Sequence, residues 1–401
     1  MVSVLNSVKN NNVRILQMLL AVPGTVQPQD VRGALFQACR DGSAECLQCL
    51  LAAKTDPDVK DPSGNSPLHL AVESGCIDTL NVLLEAGCDT ECRGSGGRTP
   101  LHLSAWLGTD DCLDCLARHG AKVNCTDSEG STPLITAVKH GNYGAAQALL
   151  RLKCDVNATD DGGLSALHYG CHKARCVESL LSSGADPNIV DKDGNTAAML
   201  AAAEGFSGVI TALIKANYDV NIQNFFTGRT VFHTVAMKGH KECIKELVLA
   251  GADINMCDKD FKTPLWYAIN CARFDVVKFL FRANSDVDKF QCPLGIPMEA
   301  CPLHLALARE DLKVIRLFIL TGYDSAHVRQ SVEREEIKSL LTSEDLSHWI
   351  DHARGPLTLK QVCRMWIRHH QGRLLFHDLR LLPLPEPMKE FISLTEIDEE
   401  H

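Results

Sequence analysis

Apolar and polar positions along the chain follow a pattern that repeats about every 33 residues, the behaviour of a repeat array. Each copy opens with Ser or Thr, usually followed by Pro, Leu and His, and continues with apolar residues at helical spacing. These opening blocks begin at Ser66, Thr99, Thr132, Ser165, Thr196, Thr230, Thr263 and Cys301. A degenerate copy begins at Gly33, and residues 1–24 hold a further partial copy. The pattern predicts about nine similar units and a partial one before them.

Each unit is predicted to contain two helices joined by a tight turn. The Ser or Thr hydroxyl accepts a hydrogen bond from the free N–H groups of the first turn. The Pro that follows has a backbone angle suited to a helix start and lacks an N–H that would be unpaired there. The second helix ends at residues such as Gly87, Gly184 and Asn217, which tolerate the left-handed conformation. One copy has Lys153 at this helix end, where the left-handed conformation would place a little strain on the backbone.

This combination of spacing and block sequence resembles the ankyrin repeat, and the resemblance covers residues 1–323. It implies an all-α fold, an ankyrin-repeat solenoid of helix-turn-helix units with short β-hairpin loops. A single repeat cannot bury its own apolar face, so the core must form between stacked neighbours.

A histidine recurs at the fourth position of the opening block, at His69, His102, His168, His233 and His304. Metal ligation or general base catalysis is one interpretation of such a set. Five copies at equivalent positions favour a structural role instead. We predict a buried imidazole that hydrogen-bonds to the backbone of a neighbouring repeat.

Two irregularities interrupt the repeat length. The copy that begins at Ser165 is two residues short between its helices, around Cys171 to Ala174, which predicts a local change of stacking. The link from Asp286 to Ala300 is longer than its counterparts and predicts a protruding loop. Neither segment carries a chemical motif.

Composition restricts the partners of this chain. Its 401 residues are 45% hydrophobic and 22% charged, as in ordinary globular proteins. A net charge of −10 argues against nucleic acid as a partner. No apolar run approaches the ~20 residues of a membrane span, and no secretory signal is visible. We therefore expect a cytoplasmic protein, with the nucleus as the alternative location, and no contact with a membrane.

Among the 18 cysteines, two pairs have CxxC spacing: Cys46 with Cys49, and Cys112 with Cys115. This spacing serves redox chemistry or half of a zinc site in some proteins. Both pairs, however, occupy apolar positions of matching helices that other copies fill with Leu, Val or Ile. Free cysteine packs as a small hydrophobic residue in such places. We predict structural thiols, with no metal and no cofactor.

The sequence carries no recognised catalytic motif. The glycine cluster from Gly94 to Gly97 lacks the following Gly-Lys-Ser/Thr and lies at a predicted hairpin tip, so it does not indicate phosphate binding. There is no HExxH, no GxSxG and no kinase signature. The sequence predicts a protein that is not an enzyme and has no catalytic residues.

The repeat pattern ends near Tyr323, and the chain changes character again at residue 355. Residues 324–354 are predicted to form short helices that cap the array. Residues 355–395 are too few to bury all of their apolar side chains without a partner or the end of the array. Their first predicted helix has one apolar stripe, which consists of Leu359, Cys363, Trp366 and Ile367. A helix with anchors at this spacing is a usual groove ligand.

Residues 355–395 resemble a SOCS box, a small three-helix domain. The elongin-binding pattern of that domain is matched by Thr358, Leu359, Cys363 and Ile367. Its cullin-5 pattern is matched by Leu379, Leu382, Pro383, Leu384 and Pro385. Together with the repeats, the chain resembles the ankyrin repeat and SOCS box family. A hydrophobic cap that only seals the array is the alternative interpretation.

The resemblance implies a non-catalytic substrate adaptor of a ubiquitin ligase. The SOCS box would bind elongin B and elongin C and recruit cullin-5 with its RING partner. The ankyrin array would bind an unknown protein substrate for ubiquitination and proteasomal degradation. The alternative is an ankyrin scaffold or inhibitory binding protein that acts without ubiquitin, and co-purification of the elongins separates the two.

The substrate surface is predicted from residues that break the pattern. In ankyrin arrays, the two residues before the glycine between the helices face the inner groove, and most are polar. Trp106 and Leu107 depart from this rule, and Phe261 stands at a hairpin tip where an earlier copy has Gly194. Exposed aromatic residues beside charges are typical of interaction hot spots; packing within the array is the alternative. The predicted contacts are Trp106, Leu107, Lys139, His140, Phe225, Phe226 and Phe261.

Overall fold

The computed structural model describes residues 3–21, 27–283, 300–309 and 311–320. Contacts divide the chain into two compact units, residues 1–192 and residues 193–401. The described helices of the first unit are α1 (Val4–Lys9), α2 (Val13–Leu20), α3 (Pro28–Asp41), α4 (Ala44–Ala52), α5 (Pro67–Ser74), α6 (Ile77–Glu85), α7 (Pro100–Leu107), α8 (Asp110–Arg118), α9 (Pro133–His140), α10 (Tyr143–Arg151), α11 (Ala166–Gly170) and α12 (Ala174–Ser182). Those of the second unit are α13 (Ala197–Glu204), α14 (Ser207–Lys215), α15 (Val231–Lys238), α16 (Lys241–Leu249), α17 (Pro264–Asn270), α18 (Phe274–Arg282), α19 (Pro302–Ala308) and α20 (Leu312–Leu320).

The helices of each unit stack in two layers, as the repeat pattern predicts. In the first unit, the odd-numbered helices α1 to α11 pack against one another in chain order, and the even-numbered helices α2 to α12 form the second layer. In the second unit, α13, α15, α17 and α19 form one row, while α14 packs on α16 and α18 on α20. Three successive second-layer helices each contribute a fully buried leucine: Leu83, Leu116 and Leu149. The core therefore lies between repeats.

The ends of the helices follow the predicted capping chemistry. Thr132 accepts a hydrogen bond from the backbone N–H of Ile135, and Pro133 follows it as the first helical residue. Gly108 and Gly141 end α7 and α9 with φ of +74° and +81°, the left-handed region that glycine enters without a steric penalty. Lys153 adopts φ of +57°, the left-handed conformation that is unfavourable for a residue other than glycine, which confirms the backbone strain predicted at this position.

Three of the opening-block histidines, His69, His102 and His233, use both ring nitrogens in hydrogen bonds that stabilise the array. Nδ1 of His102 accepts from the backbone N–H of Thr99 (3.2 Å), and its Nε2 therefore carries the proton donated to the carbonyl of Ser131 in the next repeat (2.9 Å). His69 makes the same pair of bonds, and Nε2 of His233 donates to the carbonyl of Lys262. Burial lowers the pKa of His69 and His102, and lowers that of His233 to about 4. These contacts confirm the predicted buried imidazole.

The loops between repeats differ from the predicted hairpins. The described residues contain no β-strand, only isolated bridges such as that between Thr159 and Ser165. The backbone N–H of Asp61 donates to the Asn65 carbonyl at 2.9 Å, and Oδ1 of Asp61 accepts from the backbone N–H groups of Ser63 and Asn65, both at 2.9 Å. Backbone and side-chain hydrogen bonds together close the turn without a continuous strand ladder. The predicted loop at 286–300 lies, but for Ala300, outside the described residues.

Three cysteines of the CxxC pairs, Cys46, Cys112 and Cys115, belong to the apolar core, and Cys49 is half-buried. Cys46 and Cys112 are the third residues of α4 and α8, where α10 has Ala145 and α14 has Val209, and all four are buried. Burial raises the pKa of the Cys46, Cys112 and Cys115 thiols, which opposes thiolate chemistry. Within the described residues, no three His, Cys, Asp or Glu side chains are grouped as metal ligands would be. These contacts support the packing interpretation.

Candidate protein-binding surfaces

The first surface lies on the first unit, where α7 and α9 end. Trp106 and Leu107 are the last residues of α7, and Lys139 and His140 are the last residues of α9. Each pair comes directly before the left-handed glycine that ends its helix. Because both helices have eight residues, the two pairs occupy equivalent positions in neighbouring repeats. Trp106 is 40% exposed and Leu107 is 44% exposed, although both are large apolar residues. Such exposure at adjacent positions is typical of a contact surface.

The Trp106 indole is held in place by charged and polar neighbours. The Arg98 guanidinium lies over the ring, 4.8 Å from its centroid, and the His140 ring lies 5.6 Å away at 57°. The Asn142 side chain donates to the Trp106 carbonyl and to that of Ala105, which ties the helix end to the next repeat. The indole is therefore ordered before any partner arrives, which lowers the entropic cost of binding. The alternative prediction, in which Trp106 folds back on a neighbouring helix, is tested by the Trp106→Ala variant below.

The Lys139 side chain joins the same surface to the following repeat. Its ammonium group lies 3.4 Å from a Glu129 carboxylate oxygen and 5.2 Å from the centroid of the Tyr169 ring. The Tyr169 hydroxyl donates to Asp160 at 2.7 Å, and burial together with that carboxylate raises the pKa of Tyr169. His140 is anchored by a hydrogen bond from Nδ1 to the Thr136 carbonyl, at 2.9 Å. The surface is thus a row of aromatic rings and paired cations.

The second surface lies on turns of the second unit. Phe225 and Phe226 are 49% and 60% exposed, with ring centroids 4.3 Å apart. Phe261, at the tip of the next turn, is 48% exposed and has φ of +62°, where the equivalent Gly194 has +79°. The Lys259 side chain donates to the Phe225 carbonyl and connects the two turns. An aromatic residue in a conformation that suits glycine costs backbone energy, which favours a role outside folding.

Sequence reasoning missed the cations that accompany these aromatic residues. Arg98 and Arg229 each precede the opening Thr of a repeat. Arg98 stacks on Trp106, while Arg229 lies 4.7 Å from the centroid of the Tyr267 ring. Their shared place in the repeat was a usable signal, because a cation two residues before the first helix reaches an aromatic side chain of its own repeat or of the next one.

The predicted elongin and cullin contacts lie outside the described residues. They are Thr358, Leu359, Cys363, Ile367, Leu379, Leu382, Pro383, Leu384 and Pro385. The predicted cap at 324–354 also lies outside them. Among the residues that the structure does describe, no helix is long and apolar enough to cross a membrane.

Comparison with known proteins agrees with this architecture. The family model for ankyrin repeats matches residues 4–94, 86–160, 152–224 and 198–291. The fold is also similar to the crystal structure of the ankyrin repeat domain of Bcl-3, with a TM-score of 0.50 and 24% identity over 53% of this chain and 97% of that one. The chain belongs to the ankyrin-repeat family.

A second family model, the SOCS box, matches residues 355–393. Curated relatives include ankyrin repeat and SOCS box protein 11 of Pongo abelii, 28% identical over 44% of this chain and 51% of that protein. Ankyrin repeat and SOCS box protein 5 of Mus musculus is 29% identical over 40% of this chain and 47% of that protein. The alignments span about half the length of these relatives. Repeats followed by a SOCS box are the domain combination of ankyrin repeat and SOCS box proteins.

Trp106→Ala is expected to reduce target capture about 30-fold or more if the ring is a buried hot spot of the complex. The melting temperature should change little, because the ring is partly exposed in the free protein. The measurement compares proteins retained by the full chain and by the variant from proteasome-inhibited cells, quantified by isotope-labelled mass spectrometry. Leu152→Ala is the control, since Leu152 is similarly exposed at the end of α10. A melting temperature several degrees lower, with capture retained, would place Trp106 in the core.

Proposed function

We propose that this chain is a substrate adaptor of a ubiquitin ligase built on elongin B, elongin C, cullin-5 and a RING partner. The observation that carries the proposal is the SOCS box match at residues 355–393, after ankyrin repeats that match over 4–291. A protein-binding array joined to a short ligase-recruiting domain suits an adaptor, because each part holds one of two proteins that must meet.

In this proposal, the SOCS box binds the ligase components and the ankyrin repeats bind the target. Thr358, Leu359, Cys363 and Ile367 form the stripe that enters elongin C, with elongin B assisting. Leu379 and the segment from Leu382 to Pro385 contact cullin-5. The ankyrin repeats hold the target through the exposed residues at Trp106 and Phe225.

The chain itself makes or breaks no bond in this mechanism. Holding the target beside the ligase raises the effective concentration of its lysines near the ubiquitin thioester. The partly exposed Trp106, ordered by Arg98 and His140, supports a rigid binding site that keeps the target in a constant position. The cytoplasm is the proposed location, with the nucleus as the alternative.

Co-purification tests the proposal directly. The full chain is produced with elongin B and elongin C, and the complex is analysed by size-exclusion chromatography with light scattering. A stoichiometric ternary complex is expected. Elution of the folded chain free of both elongins would favour a scaffold that acts without ubiquitin.

Replacement of all four residues from Leu382 to Pro385 by alanine is expected to weaken cullin-5 binding at least about tenfold while elongin binding stays unchanged. The reason is that the two predicted patterns form separate surfaces, and loss of apolar anchors affects only the partner that they contact. Titration of cullin-5 into the purified elongin complex measures the first effect, and the complex itself is the internal control. Equal loss of both partners would indicate that the segment folds as one unit.

A further inference from the structure

The shortened repeat leaves an opening in the first unit. The first-layer helices α5, α7 and α9 each have eight residues and end at a left-handed glycine, but α11 has five and ends at Cys171 in a right-handed conformation. Its last residue is Gly170, where α5 and α9 carry Ala71 and Ala137. A helical turn is therefore missing beside the end of α9, and Gly170 lets the shortened helix pack closely on Val138.

A cavity of about 230 Å³ lies at this place. Its floor includes Val138 and Cys176, which are 1% and 6% exposed. Gly170 lies close to both, since a Cβ on Gly170 would stand 3.3 Å from Val138 Cγ1 and 3.6 Å from Cys176 Sγ. Tyr143, the first residue of α10, forms one wall. The volume is below the ~300–1,000 Å³ of sites for drug-sized ligands, so it suits one side chain of a peptide.

Two cations line the rim of this cavity. Lys173 is half-buried, and its ammonium group lies over Gly141, where a Cβ would come within 2.5 Å of Nζ. Arg175 is exposed at the start of α12. Neither side chain forms an ion pair within the described part of the chain, in contrast to Arg98 with Asp127 and Lys139 with Glu129. A half-buried ammonium group without a carboxylate has lost hydration that a bound anion would replace.

We propose that this cavity, here called the α11 pocket, binds an acidic peptide segment in which an Asp or Glu side chain stands next to an aliphatic one. The aliphatic group fills the space over Val138 and Cys176, and the carboxylate pairs with Lys173 and Arg175. Charge complementarity selects this occupant, because the rim offers two cations and the floor offers no polar partner. The inference deepens the proposed function, since the segment would belong to the target protein.

A subtractive peptide selection tests the α11 pocket. A phage library of random octapeptides is selected on the full chain and, in parallel, on Lys173→Glu/Arg175→Glu. Sequences with Asp or Glu next to Leu, Ile, Val or Met are expected to be enriched on the wild type and lost on the charge-reversed variant. The control is Arg14→Glu/Lys122→Glu, which makes the same charge change at exposed positions of the same unit and should enrich the wild-type set.

The enriched peptide is then measured by fluorescence anisotropy in a double-mutant cycle. Changing its carboxylate to the amide is expected to weaken binding to the wild type about tenfold, the scale of losing two partly exposed ion pairs. The same change should alter binding to the charge-reversed variant less than about twofold, because the pairs are already absent there. Identical peptide sets on both proteins, no peptide specific to the wild type, or equal amide effects would overturn the proposal. Elongin capture by the charge-reversed variant is read separately, so failure of the pocket and failure of the adaptor role are distinguishable.

Discussion

Replacement of Leu359 by glutamine is expected to reduce the affinity for elongin B and elongin C at least about 30-fold, equivalent to roughly 2 kcal/mol for the loss of a buried hot-spot anchor. Leu359 begins the apolar stripe that continues through Cys363 and Ile367. An amide in place of its isobutyl group would leave a polar side chain desolvated in the elongin groove. Surface plasmon resonance with immobilised elongin complex measures the change.

The matched control for Leu359→Gln is Arg368→Gln. Residue 368 falls on the opposite face of the same predicted helix, so the same amide placed there should leave the affinity within about twofold. Circular dichroism melting establishes that both variants keep their folded repeats. Unchanged elongin capture by a folded Leu359→Gln protein would contradict the adaptor function and favour the interpretation of residues 355–395 as a cap.

Replacement of His102 by alanine is expected to lower the free energy of unfolding by about 2–4 kcal/mol, because burial is lost and two polar groups lose their partner. His102 is fully buried, accepts from the N–H of Thr99 and donates to the carbonyl of Ser131. Truncation leaves both backbone groups without these bonds in a place that water does not reach. Urea unfolding followed by circular dichroism measures the loss.

His119→Ala is the matched control for this loss. His119 is exposed, and the hydrogen-bond partners of its Nδ1, the carbonyl and the thiol of Cys115, lie one turn earlier in the same repeat, so the same truncation should cost well under about 1 kcal/mol. Similar losses for the two variants would mean that the His102 hydrogen bonds contribute little, and that packing alone maintains this joint between repeats.

The effect of His102→Ala is expected to depend on pH. Burial lowers the pKa of His102 in the folded protein from its usual 6.5, an effect opposed by the bond to Ser131. Below pH 6.5 the unfolded chain therefore binds a proton that the folded chain does not, and this histidine's contribution to stability falls. The stability difference between wild type and variant should narrow on acidification from pH 7 to pH 5, by at most about 1.4 kcal/mol per pH unit. A constant difference would exclude a neutral buried imidazole.

Local chemistry explains why so much of the fold was predictable from the sequence. The cap at Thr132, the helix ends at Gly108 and Gly141 and the bonds of His102 each depend on residues a few positions apart or one repeat apart. A 33-residue period repeats those relations, so one unit predicts the next. The cysteines of α4 and α8 were predictable for the same reason, because Ala145 and Val209 fill their places elsewhere.

The candidate surfaces were predictable only in part. Exposed aromatic residues at Trp106 and Phe225 break the pattern, and the structure places both at accessible positions. The Arg98 and His140 contacts on Trp106 required three-dimensional positions, since a side chain's direction depends on the rotamers of its neighbours. The described turns also form without strands, because one backbone bond from Asp61 to Asn65 and the acceptor Oδ1 of Asp61 close the turn within five residues.

The sequence by itself determined the repeat architecture, the capping of its helices, the structural role of its histidines and the SOCS box at its end, because these depend on periodic or contiguous residues. The tertiary structure alone decided what the two-residue deletion after Ser165 does. It shortens α11 and leaves a cavity over the buried Val138, with Lys173 beside Gly141 and without a carboxylate partner. The missing turn removes atoms that would cover the neighbouring repeat. Whether that space closes or remains as a pocket depends on how the side chains of the two repeats pack, which the sequence does not show.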